Sequence, residues 1–429
     1  MSAAAPDASD ARAMQPDNIT LPAGAGKTAS RFLLGLGLVF IAVNFFGGFA
    51  AEGGRDMALS LYTYNTGFIG ALGFSLGALC FVMILHALNA GWTATIRRQF
   101  ENVMALMWVA GGLFFLLIVM QVAYLLLYDG GGESAKYAPY LWKWMNPAYV
   151  EGDALYTHKQ PFLNVPFFGV RAVLYFVTWL GLAAALWKFS RSQDESGDRW
   201  QTAHARKLSC IGLPIFAFSI AFAGFDWVMT LDFHWFSTML GVWLFAGSML
   251  SALALTTLTL QVLKLGGRMH KVFTTEHLHD LGKLVFAFTV FWAYIAFSQY
   301  FLIWYAGIPE ETMFFIKRKE GVWEFFSILI PVAHFIIPFL LIIARPARRL
   351  GILMGVMCVW LLLIHFVELW WMIRPEATSE GYLDWRDIVG PLGPIMVFLG
   401  VLVSKVASGP LVPLQDPRLV EGLHHKNYV

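Results

Sequence analysis

Residues 350–373 read LGILMGVMCVWLLLIHFVELWWMI. At a helical rise of about 1.5 Å per residue the run spans about 36 Å, enough to cross a hydrocarbon core of about 30 Å. Within it only His365 and Glu368 carry a charge or titrate near neutral pH. The apolar residues are continuous rather than alternating, which predicts a membrane-spanning helix and not a strand of a barrel. Nine further stretches have the same character: approximately 31–50, 62–89, 102–126, 164–187, 207–230, 236–263, 279–306, 322–344 and 387–404. The chain is therefore expected to be all-α and polytopic, with about ten transmembrane helices.

Composition agrees. Of 429 residues, 58% are hydrophobic and 14% charged, against roughly 25% charged in soluble domains, so much of the surface must face lipid. A net charge of +2 offers no field for nucleic acid. Cys80, Cys210 and Cys358 lie in apolar runs without CxxC or CxxCH spacing, which argues against a zinc site, attached c-type haem or an iron–sulfur cluster in this chain. His334 and His365 are one histidine pair at similar depth. A two-haem arrangement needs a second, and none is supplied.

Residues 1–30 are polar and lack the basic start and apolar core of a cleaved signal. They read as a mobile cytoplasmic tail, followed by a ten-helix transmembrane domain over 31–406 and a cytoplasmic C-terminal tail over 407–429. Of 30 Lys and Arg, 19 fall on the side that holds both termini and 9 on the other. The positive-inside rule then predicts that both termini are cytoplasmic. The long outer connection 127–163 carries Tyr137, Tyr140, Trp142, Trp144 and Tyr149, which suit an interfacial belt or a protein contact.

Ionisable residues inside apolar spans are costly and are functional candidates by default. In the eighth span Glu324, Ser327, Pro331, His334 and Pro338 follow spacings of 3, 4, 3 and 4, which predicts one helical face with His334 near mid-membrane. The two prolines free backbone carbonyls for water. In the ninth, His365 and Glu368 stand three apart on one face. The seventh begins with His277, His279, Asp280 and Lys283 and continues with Tyr294, Ser298 and Tyr305. Lys283 is placed to pair with Asp280. His86 ends the second span, Arg171 lies in the outer half of the fourth, and Asp226 and Asp232 flank the turn between the fifth and sixth. Imidazole accepts on one nitrogen and donates on the other near neutral pH, so the converging groups are expected to form a proton path with a histidine relay. For a single residue, helix-to-helix bonding is an equally good reading; Arg171 reaching to the surface and Asp280–Lys283 as a neutralised pair are two examples.

Several strings carry a resemblance. They are FDWVMTLD at 225–232 with HWFST at 234–238, HDLGKL at 279–284, FWAYIAFSQY at 291–300, IWY at 303–305 and PEET at 309–312, with His86, AGW at 90–92 and Arg97–Arg98. They resemble the polysulfide-reductase-like (NrfD-type) membrane subunits of bacterial alternative complex III, a quinol:electron-acceptor oxidoreductase. Within that family the likeness is to the second of two paralogous ten-helix subunits (ActF-type), and it covers about Arg31 to Val406. It implies NrfD-like helical bundles in a bacterial cytoplasmic membrane. The implied partners are a paralogous membrane subunit, an iron–sulfur subunit, c-type cytochromes and lipids, with electrons passed to cytochrome c or a terminal oxidase. Haem c and iron–sulfur clusters would belong to those partners, leaving this subunit without a metal cofactor. Its implied role is proton conduction or support of quinol oxidation; a quinone site is implied by analogy without assigned residues. An independent secondary transporter, built on the proline-broken helix and its central charges, and an inert scaffold are the alternatives.

Overall fold

The structure is a computed structural model describing residues 8–51, 53–130, 132–378 and 381–427. Among the described residues every regular element is helical, and ten helices are long and apolar enough to cross a membrane. We number these α1 (Lys27–Phe49), α2 (Gly54–Ala87), α3 (Arg97–Leu127), α4 (Val165–Ser196), α5 (Trp200–Trp227), α6 (Leu240–Leu265), α7 (Thr275–Ala306), α8 (Val322–Ile342), α9 (Gly351–Ile373) and α10 (Arg386–Val406). Each matches one expected span. Helices satisfy their own backbone groups, which is what a bilayer interior demands. The chain is a multi-pass membrane protein.

Helices α2 to α5 form one four-helix group and α6 to α9 a second. α2 and α6 are the inner pair, apolar and buried almost all round, whereas the other eight leave a lipid-facing side exposed. An all-round apolar helix belongs in such a core. α1 and α10 pair with each other and lie on α2. Their contact rests on small residues: a Cβ at Gly37 would stand 2.8 Å from the backbone nitrogen of Val397, and one at Gly393 2.7 Å from Ile41. Close backbone approach of this kind is how membrane helices associate where hydrophobicity gives no preference between neighbour and lipid.

Two segments outside the spans make contacts with the bundle. Residues 8–30, read as part of a mobile tail, include buried and hydrogen-bonded positions; residues 1–7 lie outside the described residues. The Ile19 carbonyl accepts from Leu411 N at 2.7 Å, and the Asn18 side chain bonds the backbone of His270 on both sides, so the segment has a partner for its polar groups. α1 accordingly starts at Lys27. The 127–163 connection is a cap of short helices over the bundle end. Trp142 and Trp144 are fully buried against Phe168, and Lys143 and Lys159 donate to the carbonyls of Glu376 and Phe233.

Candidate functional site

α8 is not a regular helix. Pro331 cannot donate a backbone hydrogen bond, and residues Pro331–Ile336 open into a π-turn. One residue more per turn shifts the register, a feature frequent at functional sites. It turns His334 fully into the protein while Glu324 and Pro331 face outward. The single polar face expected for Glu324, Ser327, Pro331, His334 and Pro338 is therefore broken: a constant 3.6-residue period does not survive the π-turn. Pro338 stays buried. Ser327 accepts from Trp371 Nε1 at 2.9 Å and donates to the Arg318 carbonyl at 2.7 Å.

His334 meets His365 and Glu368 of α9. His365 Nδ1 lies 2.9 Å from Glu368 Oε2, and His334 Nδ1 lies 3.4 Å from the same oxygen. The other oxygen, Oε1, accepts the indole N–H groups of Trp243 on α6 and Trp292 on α7, each at 2.5 Å. Four helices thus supply one buried carboxylate with its partners. Indole only donates, so Oε1 carries no proton. Any proton the carboxylate takes sits on Oε2, between the two imidazoles. A charged carboxylate oxygen only accepts, so at 2.9 Å His365 donates its Nδ1–H to Oε2 and leaves Nε2 to receive a proton, whereas His334 makes no hydrogen bond to it. Trp292 lies across the His334 ring with centroids 3.8 Å apart, which fixes its plane.

Two features keep this cluster adjustable. His334 Nδ1 is about half an ångström too far for a good hydrogen bond, and neither of its ring nitrogens has a hydrogen-bond partner among the described residues. His365 borders an internal cavity of about 30 Å³, lined also by Ser248, Gly73 and Trp227, which is room for one or two waters. Gly247 makes the space for the His365 ring, since a Cβ there would stand 2.3 Å from its Cε1. The three ligand-type groups lie within 4.8 Å of one another. With both carboxylate oxygens already bonded, hydrogen bonding accounts for the arrangement.

The remaining sequence candidates fall elsewhere. Arg171 grips Asp226 through two hydrogen bonds of 2.8 and 2.7 Å, Tyr175 adds a third at 2.7 Å, and the guanidinium lies over Phe162. This is a buried clamp of α4 on α5, not a chain snorkelling to the surface. Lys283 pairs with Asp280 at 2.7 Å, as its spacing predicts, but Asp280 also receives His425 at 2.5 Å and Asn427 from the C-terminal segment. Tyr294 and Tyr305 are 66% and 83% exposed on the outer side of α7, and Ser298 donates to the Tyr294 carbonyl. None of these reaches the His–Glu cluster. His86 is buried with neither ring nitrogen partnered among the described residues.

Asp232 belongs to a second polar site, a pocket of about 260 Å³ lined by Lys143, Tyr149, Asp232, His234, Lys317 and Glu376 at the opposite end of the bundle from the termini. Lys317 bridges Asp232 at 2.5 Å and Glu376 at 3.0 Å, and His234 bridges Asp153 at 2.7 Å. Burial would raise the Asp232 carboxyl, but hydrogen bonds from His234 and Lys317 prevail and hold it well below the usual range. The hydrogen bond to Asp232, with that to Asp153, lifts His234 above its ordinary value. Arg318 lies beside this pocket, 3.3 Å from Glu376. Its guanidinium donates to the carbonyls of Trp371 and Met372 in the last turn of α9, where a cation complements the helix dipole. Burial lowers it to about 10, so it stays charged at neutral pH.

The residues missed in the sequence are Trp243, Trp292 and Arg318. A signal for Trp292 was present: Val285, Thr289, Trp292, Gln299 and Ile303 form the buried stripe of α7, opposite the stripe of Tyr294 and Tyr305. Comparison with models of known protein families and with curated proteins finds no match.

Proposed function

We propose that the chain is a membrane subunit of a quinol:electron-acceptor oxidoreductase of the alternative complex III type, and that it moves protons through His334, Glu368 and His365. The observation that carries the proton reading is one buried carboxylate oxygen shared by two imidazoles, beside a small cavity and on a π-turn. A proton arriving at His365 Nε2 displaces the Nδ1 proton to Glu368 Oε2; the carboxyl passes it to the bare Nδ1 of His334, whose Nε2–H leaves on the far side. The subunit carries no metal of its own, and electrons run through iron–sulfur and c-type cytochrome partners beside a paralogous membrane subunit. Both termini face the cytoplasm of a bacterial cell, on the count of 19 basic residues against 9.

Purification in mild detergent tests the assembly: haem and iron–sulfur proteins should accompany the chain, and a lone colourless protein would sink the reading. Within the assembled complex, His334→Phe or Glu368→Gln should abolish proton movement while haem content is retained. Unchanged proton coupling would refute the relay. Alkaline phosphatase fused within 127–163 should be active. The π-broken α8 beside a buried ionisable cluster favours one second reading, a secondary transporter, which predicts transport by the purified chain alone.

A further inference from the structure

A different cluster occupies the bundle end that carries the chain termini. Arg98 at the start of α3, Arg191 near the end of α4 and Lys405 in the last turn of α10 all converge on one indole, that of Trp187. The Arg98 and Arg191 Cζ atoms lie 5.4 and 6.0 Å from its ring centre and Lys405 Nζ lies 3.9 Å from it. The carboxylates nearby do not balance them. Asp194 is shared by Arg98 at 2.6 Å and Arg191 at 3.3 Å. Glu101 is 3.5 Å from Arg98 and 2.8 Å from Arg97, which also pairs with Asp416 at 2.7 Å. Lys405 pairs with no carboxylate among the described residues. Arg98 Nη1, buried beneath, has no hydrogen-bond partner among them either. Three cations set against two carboxylates, with Lys405 paired to neither, leave a net positive charge that an anion would relieve.

The surroundings say what kind of anion. Trp187, Arg191 and Lys405 are half-buried at the rim, as an indole at a membrane–water boundary is. Below them on α4, Val173, Val177, Ala184 and Arg191 are spaced by 4, 7 and 7, so they share one stripe of the helix. The first three are exposed and apolar. An apolar stripe therefore leads up to the cations, with the exposed Lys188 between Ala184 and Arg191 at its upper end, the path an acyl chain takes below its headgroup. Basic pockets between transmembrane helices on the basic side are the usual seats of anionic headgroups.

We infer that Arg191 and Lys405, with the Arg98 charge behind them, bind the phosphate of an anionic membrane lipid whose chain lies along α4. This is independent of the proton relay. The test is native mass spectrometry of the full-length chain, with its accompanying subunits, after delipidation and addition of phosphatidylglycerol, phosphatidylcholine or inorganic phosphate. Phosphatidylglycerol should be retained in preference to phosphatidylcholine. At about 1 kcal/mol per cation, R191Q should weaken retention about fivefold, and R191Q with K405Q about 25-fold. Lys405→Arg, which keeps the charge, and Lys207→Gln, outside the cluster, should leave it unchanged. If the double variant does not fold, K405Q alone is read, because Lys405 holds no ion pair that folding needs. Equal retention of the two lipids, insensitivity to K405Q, or displacement of the lipid by millimolar phosphate would each overturn the proposal; the last would make it a soluble-phosphate site.

Discussion

The Trp292 indole of α7 donates a 2.5 Å hydrogen bond to Glu368 Oε1 of α9 while its ring lies 3.8 Å from that of His334. One side chain thus both solvates the buried carboxylate and orients the base beside it. A hydrogen bond to a charged group contributes about 1.5–3 kcal/mol. Trp292→Phe keeps an aromatic ring but removes the donor and part of the packing, so it should destabilise the detergent-solubilised protein by at least that amount, read as a lower unfolding temperature. Trp243→Phe, which removes the other donor, should behave alike. If neither shifts the transition, the indoles are not what holds Glu368.

Gly247→Ala tests how closely the cluster is fitted. The added Cβ would collide with His365 and turn its ring away from Glu368, so proton movement should fall at least tenfold with the protein still folded. Gly112→Ala, where a Cβ meets nothing within 4 Å, should be neutral or stabilising by about 0.5–1 kcal/mol. Equal behaviour of the two variants would contradict the fit.

Arg171 and Asp226 are a structural clamp, and breaking one partner of a buried pair costs about 3–5 kcal/mol. Asp226→Ala should therefore lower stability strongly while proton movement per folded molecule stays unchanged. Loss of proton movement in molecules shown to be folded would return Asp226 to the proton path.

The His234 bridge sets a pH dependence at the 260 Å³ pocket. Its folded-state value lies above the ordinary 6.5. The stabilisation is then complete below about pH 6.5 and is lost as pH rises through the folded value. Wild type should lose unfolding temperature between pH 6 and 8 relative to His234→Gln. Because His234 is half-exposed the difference will be small, on the order of a degree. Parallel curves would show that the bridge is not formed.

The ten spans were legible because membrane solvation imposes length and continuity on every one, from Lys27–Phe49 to Arg386–Val406. His365 and Glu368 were legible as a pair because three residues along an unbroken helix remain neighbours. The α8 face was not, since the π-turn changes the period that the spacing argument assumes. Nor were the tryptophans: in a chain with 17 of them, composition does not distinguish an indole that bonds a carboxylate from one that faces lipid. Arg171 and Asp226 stand 55 residues apart, and only the packing of α4 on α5 brings them together.

The pairing of α1 with α10 sets the order in which the protein can be made. Of the ten spans α1 is made first and its close-packed partner α10 last. Until residues 386–406 are in the membrane, the small-residue face around Gly37 meets only lipid, and α2 lacks part of its cover. The ten-helix domain is therefore closed only when α10 inserts, and a chain that lacks residues 386–406 would leave the Gly37 face of α1 uncovered.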